Sequence, residues 1–491
     1  MKLETLLLIS TSNLNLYVSS YKFQNPDMKS KKLAIFLLLT FIVTAGPICR
    51  GTSQEVAEAM KPVSLTFWRV FDDGDSMGEI ISAYRLLHPN VSINYRKFRF
   101  EEYEEQLLNA MAEDRGPDLF SIPNTWVKKY ETKILPMPKS TTLPYQVTTG
   151  TIKKETVTEL RTSATLSLRA LKTDFADQVA KDVVLKYQEA GQAAEDRIFA
   201  LPLYLDTLVL FYNRDILNAA GIPEAPRNWT EFQQAIKKIT KIDKQGNILQ
   251  SGAAIGTAYN VERAPDIISL LMMQNGTAMT DDGGSATFAN IPPGGTMPNP
   301  PGEDALGFYT DFASPYKEVY TWNAAMPASL EAFTTGRTAF FFGYSYHTPQ
   351  IKNLAPKLNF AVAKMPQIEG GQEVNFANYW VETVSRKTKN SNEAWDFLQF
   401  ASRAENVQKF LAKTKKPTAL RSLIASQIED IDLSVFASQI LTAKSWYHGY
   451  GATAAEKIFE DMIEQVVAGS QTPKEAINWA QGRVNQTMQQ Q

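Results

Sequence analysis

Two short stretches of the sequence place hydrogen-bonding side chains directly after a predicted strand. Residues 71–75 contain Asp72, Asp73 and Asp75, and residues 123–126 supply an amide, a hydroxyl and an indole ring. Carboxylate and amide groups exchange hydrogen bonds with the hydroxyls of a polyol, and an aromatic ring packs against its C–H faces. In a cleft, this combination of side chains is suited to holding a sugar.

Signatures of catalysis are missing from the sequence. It contains no G-x-S-x-G elbow, no P-loop, no H-E-x-x-H and no C-x-x-C. Asp72 and Asp73 are neighbours in an extended segment, so their side chains point in opposite directions and do not form the facing carboxylate pair of a glycosidase. We therefore expect a binding protein and not an enzyme.

The composition excludes several other kinds of site. A net charge of −2 and a pI near 6.1 give no reason to expect nucleic acid as a partner. One cysteine and three histidines in 491 residues exclude a disulfide framework and argue against a metal cluster. We expect no cofactor and no metal. The length exceeds that of one ordinary domain.

Alternating strands and helices must position these side chains. Val63, Leu65 and Phe67 alternate with polar residues and predict a strand, and an amphipathic helix and a second strand follow it. Such βαβ units form a mostly parallel sheet, in which ligands bind beyond the carboxyl ends of the strands. Thr338–Gly343 is predicted as a buried strand, and residues 375–384 as an extended run.

Two capping boxes, one further helix start and one polar stretch add local predictions. The boxes are Ser76 with Glu79 and Thr230 with Gln233. The last helix is predicted to begin with Thr472 as N-cap, Pro473 at the first position and Glu475 at the third. Residues 141–194 are polar and predicted to be helical.

The N-terminus predicts export. Lysines at 29, 31 and 32 precede an apolar run at 33–45, which is short for a membrane span and typical of a signal peptide. We expect residues 28–52 to be a signal peptide that starts at Met28, or a membrane anchor. Residues 1–27 are then a non-native or cytoplasmic extension. Cys49 follows the apolar run, where it is either lipidated or a thiol without that role.

Several ordered motifs carry a resemblance to a known family. They are LTFW (65–68), HPNV (88–91), GPDLF (116–120), FALPLY (199–204), LFYN (210–213), GRTAF (336–340), MP (365–366), EAWDFL (393–398) and GSQTPKEA (469–476). From residue 61 to the C-terminus, the sequence resembles the family 1 extracellular solute-binding proteins, the maltose-binding-protein-like group. Residues 141–194 are longer than the family core.

The resemblance implies a periplasmic-binding-protein-like fold of two α/β lobes that close on a solute. Lobe one is expected to comprise residues 61–205 plus 380–440, and lobe two residues 206–375 plus 441–491. The implied protein is a monomer, exported to the cell surface or periplasm. It delivers a sugar or oligosaccharide to the permease of an ABC importer.

The resemblance also marks expected ligand-binding residues at the strand ends and at the segments that cross between lobes. They are Asp72, Asn124, Thr125, Trp126, Asp206, Asn260, Arg263, Tyr344, Ser345, Asn378, Trp380 and Trp446. A solvated turn is the alternative for Asp72, the surface for Asn260 and Arg263, and the core for the tryptophans. No partner is predicted for His347 or His448.

Two other functions stay open at this point. An exported carbohydrate-active enzyme requires a facing carboxylate pair that the sequence does not reveal. A binding protein for a polyamine requires several acids beside aromatic rings, and one for a polyol phosphate requires arginine and helix N-termini.

Overall fold

A computed structural model describes residues 54–150, 154–189 and 191–489. The predicted signal peptide and Cys49 lie outside these residues. Within the described part of the chain, no helix is long and apolar enough to cross a membrane.

The strands are named in chain order. They are β1 (Val63–Val70), β2 (Val91–Phe98), β3 (Leu119–Pro123), β4 (Ser140–Thr149), β5 (Glu155–Ala164), β6 (Val184–Tyr187), β7 (Glu195–Ile198), β8 (Ala200–Pro202), β9 (Asp206–Thr207), β10 (Val209–Asn213), β11 (Lys241–Ile242), β12 (Ile248–Ala253), β13 (Thr338–Gly343), β14 (Phe360–Ala363), β15 (Asn375–Asn378), β16 (Trp380–Val384) and β17 (Ala443–Lys444).

The helices are named in the same way. They are α1 (Gln54–Ala59), α2 (Asp75–Leu87), α3 (Phe100–Ala112), α4 (Leu168–Asp174), α5 (Asp177–Val183), α6 (Arg214–Ala219), α7 (Trp229–Ile239), α8 (Ala264–Gln274), α9 (Pro301–Asp311), α10 (Ser329–Thr334), α11 (His347–Leu354), α12 (Ser391–Ala401), α13 (Ala404–Thr414), α14 (Arg421–Ile428), α15 (Ser434–Gln439), α16 (Ala452–Val467) and α17 (Pro473–Thr487). Short 3₁₀ turns cover Asn124–Trp126 and Ile440–Thr442.

The first lobe is built on a sheet with the strand order β2-β1-β3-β16-β8. β1 pairs in parallel with β2 and β3, whereas β16 runs antiparallel to β3 and β8. Leu65 and Phe67 are fully buried, so the alternation that predicted β1 is confirmed. Because β1 and β3 are parallel, the chain leaves both of them at the same edge of the sheet.

The second lobe is built on a sheet with the order β11-β12-β13-β10-β14. β13 lies at its centre, parallel to β12 and antiparallel to β10, and all of its residues are buried. The buried strand predicted at Thr338–Gly343 is therefore confirmed. Phe436 of α15 packs into the same lobe against Phe211 and Phe333.

Three chain segments cross between the two sheets and meet in a small sheet with the order β17-β15-β9. The first crossing holds β9, between β8 and β10, and the second holds β15, directly before β16. The third holds β17 and leads into α16 and α17, which pack on α8 and α9 of the second lobe. The exact lobe limits stay predictions.

The helical prediction for residues 141–194 is wrong over much of its length. β4 and β5 form an antiparallel hairpin, and among the described residues of this stretch only those of α4 and α5 are helical. The β-branched threonines of this stretch favour a strand, and the hydroxyls of Thr142 and Thr162 bond across it at 2.8 Å. His88 fixes the hairpin to the first lobe through the carbonyl of Pro144, 3.1 Å from Nδ1.

Neither predicted capping box forms, whereas the predicted N-cap Thr472 is confirmed. Thr472 and Glu475 cap α17 reciprocally. Ser76 lies inside α2 and donates to the carbonyl of Asp73 instead. The cap of α7 is Asn228, two residues before the predicted Thr230.

Candidate functional site

Asp206 lies on the first crossing, where both lobes approach it. Its carboxylate accepts hydrogen bonds from the Ser345 backbone N–H (3.0 Å), the Ser345 hydroxyl (2.6 Å) and the Thr207 N–H (2.9 Å). All of these donors are neutral, and the side chain is buried. Burial raises the pKa of Asp206 to about 7, although the hydrogen bonds oppose the shift.

Asp266 gathers several predicted site residues of the second lobe. It lies in the first turn of α8 and is buried. Its carboxylate accepts from the Arg263 guanidinium (2.7 and 2.8 Å), the Tyr344 hydroxyl (2.6 Å) and the Asn378 amide (3.2 Å). Arg263 also pairs with Glu456 at 3.0 Å, so its positive charge is compensated.

An exposed ring lies beside this cluster. Tyr346 is 43% exposed and stacks on the buried Tyr344, with ring centroids 6.0 Å apart and planes 17° apart. Both tyrosines follow β13. The carboxyl end of this strand therefore presents an open aromatic face next to the Asp206–Ser345 contact.

Asp72 lies at the carboxyl end of β1, inside a buried ionic network. The Lys416 ammonium lies 2.7 and 2.9 Å from the two Asp72 oxygens, and the Arg69 guanidinium lies 3.3 Å away. Arg69 also pairs with the buried Glu382 at 2.9 Å. Lys416 is close enough to Asp206 to lower the pKa of that carboxyl, which connects this network to the first crossing.

Phe71 adds an aromatic surface to the same strand end. It has a φ of 70°, in the left-handed region that a bulky side chain rarely adopts. Its ring is 53% exposed, stacks on Phe100 at 6.0 Å and meets Trp380 edge-on at 5.6 Å. A strained backbone with an exposed ring at a strand end is a frequent mark of a ligand site.

Asn124, Thr125 and Trp126 form a 3₁₀ turn after β3. The Asn124 amide donates to Asp182 at 2.9 Å, and Thr125 is partly exposed.

Trp126 is buried and stacks on Tyr130, with centroids 5.8 Å apart. The Lys129 ammonium lies 4.5 Å from its ring centroid. These contacts are the kind expected of a packed side chain, and a part in ligand binding stays a prediction.

Asn260 and Trp446 are also engaged by the protein itself. The Asn260 amide donates to the carbonyls of Asn323 and Met326, both at 3.0 Å. Trp446 is buried against Phe459 and donates to the Ser269 hydroxyl at 3.1 Å.

The structure thus joins one subset of the predicted residues. Asp206 bonds to Ser345 and pairs in register with Asn378. The side chains of Asn378, Arg263 and Tyr344 all donate hydrogen bonds to the Asp266 carboxylate. Trp380 lies two residues beyond Asn378, and Asp72 reaches the group through Lys416. Asp266, Lys416 and Phe71 were not predicted as site residues from the sequence. Only Phe71 had a local signal, as a large apolar residue just before the acidic turn.

Two α/β lobes with three crossing segments, and polar and aromatic groups where they meet, define a two-lobed solute-binding protein. The bacterial extracellular solute-binding protein family matches residues 146–408, more than half of the chain. The protein belongs to this family, and the predicted family and fold class are confirmed.

Three distant relatives cover most of the chain. The galactooligosaccharide-binding protein of Bacillus subtilis (strain 168) is 21% identical over 409 residues, 80% of this chain and 82% of that protein. The cyclic alpha-maltosyl-1,6-maltose binding protein of Arthrobacter globiformis has a TM-score of 0.65 at 17% identity, covering 87% of this chain and 99% of its own. An ABC transporter solute-binding protein of Thermotoga lettingae TMO, bound with alpha-D-tagatose, has a TM-score of 0.61 at 19% identity and coverages of 87% and 100%. The structural likenesses establish the shared fold.

Proposed function

We propose that the protein captures a neutral sugar or short oligosaccharide between its lobes for an ABC importer. This proposal is supported by the ion pairs that the charged side chains of the candidate site form within the protein. Asp72 is paired with Lys416, and Arg263 is paired with Asp266. Neither charge is free to recognise a charged ligand, because each is already compensated inside the protein.

This pairing separates the proposed ligand from its rivals. A polyamine needs several ionised acids beside aromatic rings, whereas Asp72 and Asp266 are paired with cations and burial raises the pKa of Asp206 to about 7. A sugar phosphate needs an available cation or helix N-terminus. A neutral polyol needs hydrogen-bonding groups and apolar surfaces. Phe71 and Tyr346 offer such surfaces at the carboxyl ends of β1 and β13. The names of the similar proteins, which refer to galactooligosaccharide, maltosyl-maltose and tagatose, support the same class.

The ligand class is tested by thermal shift and titration calorimetry. The panel contains maltotriose and a galactooligosaccharide, with spermidine and glucose 6-phosphate as charged comparators. A ligand at 1,000 times its Kd stabilises the folded state by about 4 kcal/mol, so the cognate class should raise the melting temperature clearly. Stabilisation by spermidine or the phosphate alone would contradict the proposal. Hydrolysis of the bound oligosaccharide, followed by chromatography, would favour the enzyme alternative instead.

We further propose that the mature protein acts outside the cytoplasm as a monomer and docks on the permease when closed. The family description supports the extracellular location. Mass spectrometry of the secreted protein should find an N-terminus between about residues 46 and 54, just past the apolar run. Peptides from residues 1–27 in that material would contradict a start at Met28.

A further inference from the structure

Another buried carboxylate, Asp182 of α5, has a set of hydrogen-bond donors different from those of Asp72, Asp206 and Asp266. It is 1% exposed and accepts hydrogen bonds from side chains of several chain segments. The donors are Asn124 (2.9 Å), Gln178 (2.6 Å), Tyr379 (2.6 Å), Ser445 (2.8 and 2.9 Å) and His448 (2.8 Å).

These donors come from the first lobe and from two of the three crossings. Asn124 and Gln178 belong to the first lobe, where α5 packs on β8 and on the 3₁₀ turn. Tyr379 stands between β15 and β16 on the second crossing. Ser445 and His448 follow β17 on the third crossing. A single carboxylate therefore holds both crossings against one lobe.

The carboxylate is held as an anion. Burial alone would raise the pKa of Asp182, but the hydrogen bonds and charge of His448 and the bonds from Tyr379 and Ser445 keep it below its ordinary value. Hydrogen bonds to an ionised acceptor are shorter and roughly twice as strong as neutral ones. The sequence predicts no partner for His448, and in the structure this residue bonds to Asp182.

We propose that Asp182 is a hinge clasp, a positioning residue that sets the angle between the lobes. When a crossing segment rotates, its donors move relative to α5, so their bonds to Asp182 must break or reorient together. The clasp thus opposes rotation at two crossings at once. It bears on solute capture only if the protein closes on its ligand, as the proposed function holds.

The first lobe supplies a matched control carboxylate. Asp396 of α12 accepts from the hydroxyls of Tyr84 (3.0 Å) and Tyr145 (3.3 Å) and lies 3.4 Å from the Nε2 of His88. The chemistry resembles that around Asp182, with tyrosines and a histidine on a buried aspartate. Its partners are all carried by α2, β4 and the residue after α2, which belong to the first lobe.

The test measures the distance between the lobes in the ligand-free protein. Spin labels are attached to cysteines at Leu86 and Tyr316, which are 80% and 94% exposed on different lobes, in a Cys49→Ser background. Pulsed electron resonance then compares the full-length chain with its Asp182→Asn and Asp396→Asn variants. Both substitutions should lower the melting temperature. Only Asp182→Asn should shift or broaden the distance distribution.

An unchanged distribution in folded Asp182→Asn protein overturns the proposal, because the residue is then merely structural. If that variant does not fold, Tyr379→Phe decides, since it keeps the ring and removes the hydroxyl through which the second crossing bonds to Asp182. A shifted distribution in Tyr379→Phe supports the clasp, and an unchanged one overturns it. No sugar is present in the measurement, so a failure to bind sugars would count against the proposed function alone.

Discussion

Asp72 and Asp206 are buried acids of one candidate site, and they are stabilised in different ways. Asp72 faces two cations, Lys416 and Arg69, within 3.3 Å. Asp206 accepts its hydrogen bonds only from neutral donors, and burial raises its pKa to about 7.

This difference indicates that the two acids have different roles in the protein. A buried acid with its own counter-ions contributes to the fold, and its ionic network is closed to a neutral ligand. A buried acid that accepts hydrogen bonds only from neutral groups is costly to keep ionised. Residues that carry such a free-energy cost are typically found at functional sites. We therefore expect Asp72 to be more important for stability and Asp206 for ligand binding.

The largest effect should come from removing the cation of Asp72. Lys416→Met leaves a buried carboxylate with Arg69 alone, and breaking a buried pair costs about 3 kcal/mol or more of unfolding free energy. Urea unfolding measures this loss. Lys413→Met is the matched control, because Lys413 forms an exposed pair with Glu79 and such pairs are worth less than about 1 kcal/mol. Equal losses in the two variants would show that the network around Asp72 is not stabilising.

Replacement of Asp206 should chiefly weaken binding. Asp206→Ala removes a carboxylate that orders Ser345 and accepts hydrogen bonds worth about 1.5–3 kcal/mol each. The Kd for the cognate sugar should rise between about tenfold and a few hundredfold, measured by calorimetry. Ser345→Ala, which removes one donor and keeps the carboxylate, should have a smaller effect. Unchanged affinity in Asp206→Ala would show that the sugar does not bind at the first crossing.

The raised pKa of Asp206 predicts a pH dependence of stability. Its pKa is about 7 in the folded protein against an ordinary 3.8, so the folded state holds a proton that the unfolded chain releases between these values. Stability from this group is present below pH 4 and is lost as the pH rises towards 7. The unfolding free energy of wild type minus that of Asp206→Asn should fall by about 4 kcal/mol over this range and then level off. If this difference in unfolding free energy does not change with pH, the pKa of Asp206 is not raised in the folded protein.

Phe71, the neighbour of Asp72, has a positive φ that is expected to destabilise the folded protein. Phe71→Gly relieves the positive φ and should raise the unfolding free energy by about 1 kcal/mol. It should also weaken sugar binding by about tenfold, because a stacking ring is lost. Phe100→Ala is the control, since Phe100 is similarly exposed at 50% and has no positive φ. A loss of stability in Phe71→Gly would show that the ring is packed for the fold.

The strands of the fold were the most predictable feature, and the caps and carboxylate partners the least. β1 and β13 followed from alternation or from an unbroken apolar run, and α17 began at its predicted cap. The hairpin of β4 and β5 was missed because polar, threonine-rich strands lack an apolar stripe. Asn228 replaced Thr230 as a cap because its side chain accepts from the Glu231 N–H, so α7 begins two residues earlier than predicted.

The sequence by itself determined the family, the two-lobed α/β class and the strand ends at which a site could lie. These features depend on local periodicity and on the order of short motifs. Only the tertiary structure decided which acids meet cations and which meet neutral donors. Asp72 and Lys416 are 344 positions apart, and Asp182 and His448 are 266 apart. No local pattern records such pairs, because the energy of a buried charge depends on whatever the fold places beside it.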